Sequence, residues 1–233
     1  TKNDKVDAKI IALYGLERKP EPWEPATKYL SEMRSLARDR LSYQKDITRL
    51  KNQQHTSEFS RIDSKLSKDL KRQVIEKLEE SVVLIENALR DLTNQDLDFK
   101  RKIEQLETIK GISFITAITV VCETNGFRDI SNIRKVVSYA GLDIAQRQSG
   151  KYEGTTRITK KGNSRIRQCL FMPALSAIQY NEPIKNLHQR IVERNPKAKR
   201  KGVIAGMRKL LILMFVLWKK DEPFNPNYNW NKK

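Results

Sequence analysis

Between Ala26 and Leu106 the chain has no proline and no glycine, and apolar residues return every three or four positions. Leu30, Met33, Leu36, Ala37, Leu41, Ile47 and Leu50 trace one stripe. After a polar interval over 52–60, a second runs through Ile62, Leu66, Leu70, Val74, Leu78, Val82, Ile85, Leu89 and Leu92. That period predicts two long amphipathic helices with narrow apolar seams, buried either against each other as a hairpin or against a second chain as a coiled coil; a homodimer or higher homo-oligomer is therefore expected. Ahead of them, Val6, Ile10, Ile11, Leu13 and Tyr14 predict a short helix that starts at an Asn3-Asp4 cap and stops at Gly15. Pro20, Pro22 and Pro25 then predict an extended linker.

Beyond Leu106 the texture changes, with glycines at 111, 126, 141, 150, 154, 162, 202 and 206. Residues 109–142 read as helix, glycine turn, helix, turn, helix, with Ser131 as a cap. Residues 143–162 have no helical period and read as an exposed loop or weak hairpin. Helices are predicted again over 164–180, 183–193 and 202–218, the last supplying Leu210, Leu211, Phe215 and Trp218 to a core, and the Pro- and Asn-rich end predicts a loosely docked tail. The expected fold class is mainly all-α, divided into 1–25, a long helical region 26–106, a compact helical domain 107–220, and a tail 221–233.

Charge sharpens this division. The chain carries 46 Lys+Arg against 28 Asp+Glu, a formal +18. From Ile109 onward 24 basic residues face 8 acidic ones, a net +16, whereas 26–108 come to +2 and 1–25 to zero. An excess confined to one region points to a polyanionic partner, DNA or RNA. Two cysteines and two histidines, His55 and His188, leave neither a disulfide framework nor a zinc set, and a reducing, cytoplasmic address is the expectation. The longest apolar run, Leu210 to Trp218, falls short of the roughly 20 residues a bilayer span needs, so no membrane partner and no signal peptide are expected.

Four features carry candidate chemistry. Around Lys110-Gly111-Ile112, an apolar residue, a glycine turn and a small-residue helix have the pattern of a helix-hairpin-helix, whose turn amides face a phosphate; an ordinary tight helix-helix turn would use the same glycine. The stretch Gln146-Arg147-Gln148-Ser149-Gly150-Lys151, with Arg157, Lys160, Lys161, Arg165 and Arg167 after it, sets a serine among cations that would stabilise a developing phosphorane; a basic, solvated surface loop would have the same composition. Asp4 and Asp7, three apart on one helix face, have the oxygen donors Mg²⁺ prefers, and would equally complement a helix dipole. Lys197, Lys199, Arg200 and Lys201 form a basic cluster after Pro196, read as a loop facing nucleic acid or as a solubilising turn.

Taken in order, the D-x-x-D helix (Asp4, Asp7), the long helical middle, the Gly-Ile turn, Ser149-Gly150 and Ile158-Thr159-Lys160-Lys161-Gly162-Asn163-x-x-Ile166-Arg167-x-x-Leu170 resemble the Piv/MooV-like insertion-sequence transposases, DEDD-type recombinases guided by a bridge RNA. The resemblance implies a RuvC-like domain with four acidic metal ligands, of which Asp4 and Asp7 would be the last two, a coiled coil joining protomers, and a C-terminal transposase domain with Ser149 as nucleophile. It implies Mg²⁺ as cofactor and DNA and a structured guide RNA as partners. The first Asp and the Glu of the tetrad would lie upstream of Thr1, so residues 1–25 would be a remnant of the RuvC-like domain and linker, and this piece would bind nucleic acid with little strand transfer of its own. Where the family commonly has proline after Gly-Leu-x, this chain has Ile144. The competing reading is a non-catalytic coiled-coil protein with a basic head that binds nucleic acid.

Overall fold

A computed structural model describes residues 3–20, 25–60, 64–145, 148–149, 152–154 and 157–226, with the backbone alone at Ser60, Gln148, Ser149, Tyr152 and Glu153. The architecture is mainly all-α. Helix α1 (Asp4–Arg18) starts where the Asn3 side chain accepts from the Lys5 amide, and it runs past Gly15 to a left-handed cap at Lys19 (φ 41°). The expected stop at Gly15 is thus three residues early, because one glycine with open space around it costs a helix only about 1 kcal/mol. No residue of α1 is buried.

Helices α2 (Lys28–Ser60) and α3 (Lys65–Gln95) fold back on each other within the chain, which settles how their seams are covered. The buried side of α3 is Ile75, Leu78, Val82, Ile85, Leu89 and Leu92, spaced alternately three and four, against Tyr43, Ile47 and Leu50 towards the far end of α2. The expected members Leu66, Leu70 and Val74 are instead exposed, and Ile62 falls outside the described residues. Repeated steps of four walk about 40° around a helix each time, so that part of the apolar pattern leaves the seam.

Asp96, in extended backbone (φ −120°, ψ 103°), ends α3 and caps the short α4 (Leu97–Glu107) by accepting from the Phe99 amide. The break turns Phe99 into the main core, edge-on to Tyr29 of α2 and to Trp218. That core is centred on α5 (Phe114–Glu123), buried along almost its whole length. Around it pack α4, the first third of α2, α7 (Ser164–Tyr180) and, behind α7, α8 (Glu182–Arg194) and α9 (Arg200–Lys220). Leu106, Ile109, Ile118, Phe127, Leu142, Ile166, Leu170 and Leu210 are fully enclosed there. Each such side chain contributes about 1.5–3 kcal/mol on burial, so the stability is concentrated in this head. Helix α6 (Ile133–Tyr139) is capped by Asn132, whose Oδ1 accepts from the Lys135 amide, and not by Ser131.

Within 143–159 the described residues pair as an outer and an inner antiparallel ladder of one hairpin. Ile144–Ala145 (β1) pairs with Arg157–Ile158 (β4), and Gln148–Ser149 (β2) with Tyr152–Glu153 (β3). The start of the tail is tied down: Asp221 pairs with Arg101 (2.6 Å) and the Phe224 amide donates to Thr108 Oγ1 (2.8 Å).

Candidate functional site

The root of this hairpin is built on a buried carboxylate. Helix α5 is nearly all apolar until its last residue, Glu123, whose side chain is 2% exposed. An ion buried this deeply requires partners, and they converge from α2 and from the capped start of α7. Arg38 of α2 donates twice, Nε to Oε1 at 2.7 Å and Nη2 to Oε2 at 3.0 Å. Asn163 donates Nδ2 to Oε2 at 2.7 Å, and Arg165 Nε stands 3.9 Å from Oε1. Burial pushes the Glu123 carboxyl up, but the hydrogen bonds from Arg38 and Asn163 and the charges of Arg38 and Arg165 outweigh it and leave the group below the usual glutamate value. The same contact raises the Arg38 guanidinium. The Tyr139 hydroxyl donates to the Glu123 carbonyl at 2.7 Å, bringing α6 to the same point.

Asn163 does two jobs. Its Oδ1 caps α7 by accepting from the Arg165 and Ile166 amides, which fixes the side chain so that Nδ2 faces Glu123. Two backbone stretches, 139–143 and 159–163, then cross in direct contact. Thr159 N donates to Asp143 O, Lys160 N to Gly141 O and Asn163 N to Tyr139 O, all within 3.1 Å. The crossing needs glycine: at Gly162 (φ 143°) a Cβ would lie 2.5 Å from Tyr139 O, and at Gly141 (φ 64°) 2.9 Å from Lys161 O. Arg167 Nη1 fastens it by donating to Ala140 O (2.7 Å) and Gly162 O (3.3 Å).

The residues singled out from the sequence distribute as follows. Lys160 and Lys161 are exposed at the crossing, Arg165 beside them in the first turn of α7, and Arg157 exposed on β4. Ser149 is paired with Tyr152 in the inner ladder; Arg147, Gly150 and Lys151 fall outside the described residues. Arg167 is largely committed to backbone carbonyls. Lys199, Arg200 and Lys201 are exposed, but a 3₁₀ turn (Pro196–Ala198) and the first turn of α9 hold them where a loop was expected. Lys201 closes one end of a cleft that also contains Arg157. Lys110 is exposed, while Gly111 (φ 105°) lies flat on α7, where a Cβ would meet Pro173 O and Ala177 Cβ at 2.9 Å. That glycine serves helix packing about 15 Å along α7 from the capped end. Asp4 and Asp7 are exposed on the unburied α1, and no group of three or more His, Cys, Asp or Glu able to hold a metal occurs among the described residues. His188 is half-buried, its ring over Gly202 of α9.

Sequence reasoning missed Glu123 and Arg38. The signal was present: Glu123 is a lone acid ending the apolar run Phe114–Cys122, within a region of only 8 acidic residues. No described helix is long and apolar enough to cross a membrane.

Comparison with known proteins gives a consistent result. A profile described as "Transposase IS116/IS110/IS902 family" matches residues 103–189, which hold α5, the hairpin and the α7 cap. A second transposase profile, of the DEDD type of the same group, matches residues 1–57. Over 226 residues the chain is 25% identical to the pilin gene-inverting protein of Moraxella bovis, and likewise to that of Moraxella lacunata, spanning 97% of this chain and 68% of each relative.

Proposed function

The chain is an IS110-like transposase/recombinase, and from that premise we propose that it cuts and rejoins DNA through the hydroxyl of Ser149. The observation that carries the reading is the hairpin itself: Ser149 occupies its inner ladder, and the hairpin's root is a rigid crossing with Arg157, Lys160, Lys161 and Arg165 exposed around it. In the step proposed, Ser149 Oγ bonds to a phosphodiester phosphorus, its proton leaves to solvent or a base, and one strand oxygen departs. A hydroxyl of the incoming strand then displaces the serine. Cations near the phosphorus offset the charge of the phosphorane. Residues 107–220 serve as the DNA-facing head and the α2–α3 hairpin as an arm. Leu66, Leu70, Val74 and Leu84, exposed on one side of α3, support association of copies through that arm.

A DEDD-type domain implies a divalent metal. Asp4 and Asp7 offer the hard oxygen donors Mg²⁺ takes, but two exposed carboxylates on an unpacked helix are too few for a site, so no step is assigned to the metal. A structured guide RNA is the second polyanion we propose for the +16 head, with Lys110, Lys199, Arg200 and Lys201 available to its backbone.

The test compares the full-length protein with its Ser149→Ala variant on DNA carrying the element ends, scoring a protein–DNA adduct that survives denaturing electrophoresis. The wild type is expected to form the adduct and the variant to form none. An undiminished adduct from Ser149→Ala removes the serine from the mechanism.

A further inference from the structure

Behind the hairpin, a cleft of about 340 Å³ separates its outer ladder from α8 and α9. Leu142, Ile144 and Ile158 form one wall, Ile191, Ile204 and Ala205 the other, and the polar groups are Arg157, Lys201, Arg208 and Asn195. No carboxylate lines it. Lys201 Nζ is steered by a 3.0 Å bond to Asn195 Oδ1, while Asn195 Nδ2 is used by Ile191 O. Arg157, Lys201 and Arg208 have no ion-pair partner among the described residues, so none of the three cations has a counter-charge there.

An apolar slot between branched aliphatic side chains, edged by cations without counter-charge, fits a flat heteroaromatic ring attached to a phosphate. Its volume is at the low end for small-ligand pockets, roughly 300–1,000 Å³, which admits one base and excludes a base pair. Its position selects the source of that ring: Ile144, Arg157 and Ile158 belong to the outer ladder, whose strand β1 comes next before the Ser149 strand in the chain. A strand running over the hairpin root would pass the mouth of the slot.

We propose that this cleft takes one unpaired base of a bound nucleic-acid strand, the base lying between Ile144, Ile158 and Ala205 and the adjoining phosphates meeting Arg157, Lys201 and Arg208. The cleft would hold a strand in which a base has left its pair, as strand exchange requires, and it would not recognise intact duplex. The proposal rests on the reading of the head as a nucleic-acid surface. It adds to that reading a site for an unpaired nucleotide.

The experiment measures binding to three probes of equal length: a single strand, the same strand with abasic positions, and the blunt duplex, with deoxy- and ribo-strands in separate arms. Wild type is expected to bind the intact strand about tenfold more tightly than the abasic one. Ala205→Phe fills the slot without changing charge, and should erase that preference while leaving abasic-strand and duplex binding unchanged. Ile144→Ala, at a 58% exposed position, opens the opposite wall with little risk to folding and should reduce the preference in the same way. Arg208→Ala should lower the salt dependence of single-strand binding by roughly 0.7 in log–log slope. Base preference in either arm supports the proposal and identifies the polymer. Its absence from both arms in wild type, or its persistence in both Ala205→Phe and Ile144→Ala, overturns it. Failure of wild type to bind any probe overturns the nucleic-acid reading as well.

Discussion

Removing Arg38 should cost more stability than neutralising Glu123, although the two side chains form one ion pair. The reason is their unequal burial: the Glu123 side chain is 2% exposed and that of Arg38 is 42%. In Arg38→Ala the carboxylate stays buried and loses two hydrogen bonds, keeping only Asn163 at 2.7 Å and Arg165 at 3.9 Å. Breaking one side of a fully buried pair costs about 3–5 kcal/mol, and the remaining partners bring this to about 2–4 kcal/mol. In Glu123→Gln the amide oxygen still accepts from Arg38, whose exposed guanidinium rehydrates, so the loss should be about 1–2 kcal/mol. The double variant should cost less than the sum, with a coupling of about 1–3 kcal/mol. Urea unfolding followed by circular dichroism measures all four proteins, since the midpoints move while the slope stays constant if only stability changes. The pH dependence has a definite sign. Glu123 sits below its ordinary value of 4.5 in the folded chain, so its stabilisation is complete above that value and disappears as pH falls through the folded pKa. Glu123→Gln should therefore flatten the acid limb of the stability curve. Equal costs for both single variants, or a coupling below about 0.5 kcal/mol, would refute the picture of a buried charge held by its neighbours.

Other predictions follow from the same geometry. Gly162→Ala, at φ 143° with Tyr139 O in the way, should lose about 2 kcal/mol or more and make residues 143–159 more susceptible to limited proteolysis. Leu89→Ala in the hairpin seam should cost about 2–5 kcal/mol by urea unfolding, and Val83→Ala, exposed on the same helix, within about 0.5 kcal/mol of nothing. Lys160→Ala and Lys161→Ala should each lower the salt slope of DNA binding by about 1 without moving Tm, whereas Arg167→Ala, which unfastens Ala140 and Gly162, should lower Tm; the reverse assignment would be wrong for both. Burial pushes the Cys122 thiol up to about 12, so it should not react with iodoacetamide at pH 8 until denaturant is added.

The local pattern of the chain was enough to determine the helices. The proline- and glycine-free stretch and the three-and-four spacing each act within a few residues, so α2 and α3 were legible along the line of the sequence, as was α7 over 164–180. The cationic head was legible too, because net charge is a sum that folding does not alter. Whether the long seams closed on each other or on another chain was decided by tertiary packing, since an apolar stripe does not name its partner. The same is true of Leu66, Leu70 and Val74, which the linear pattern assigned to the seam and the folded hairpin leaves exposed. The site depends most on packing. Glu123, Arg38 and Asn163 are separated by up to 125 positions along the chain, between Arg38 and Asn163, yet both bond one carboxylate. A buried charge is tolerated only where partners from distant segments arrive together, and the spacing of residues along a chain holds no record of that meeting.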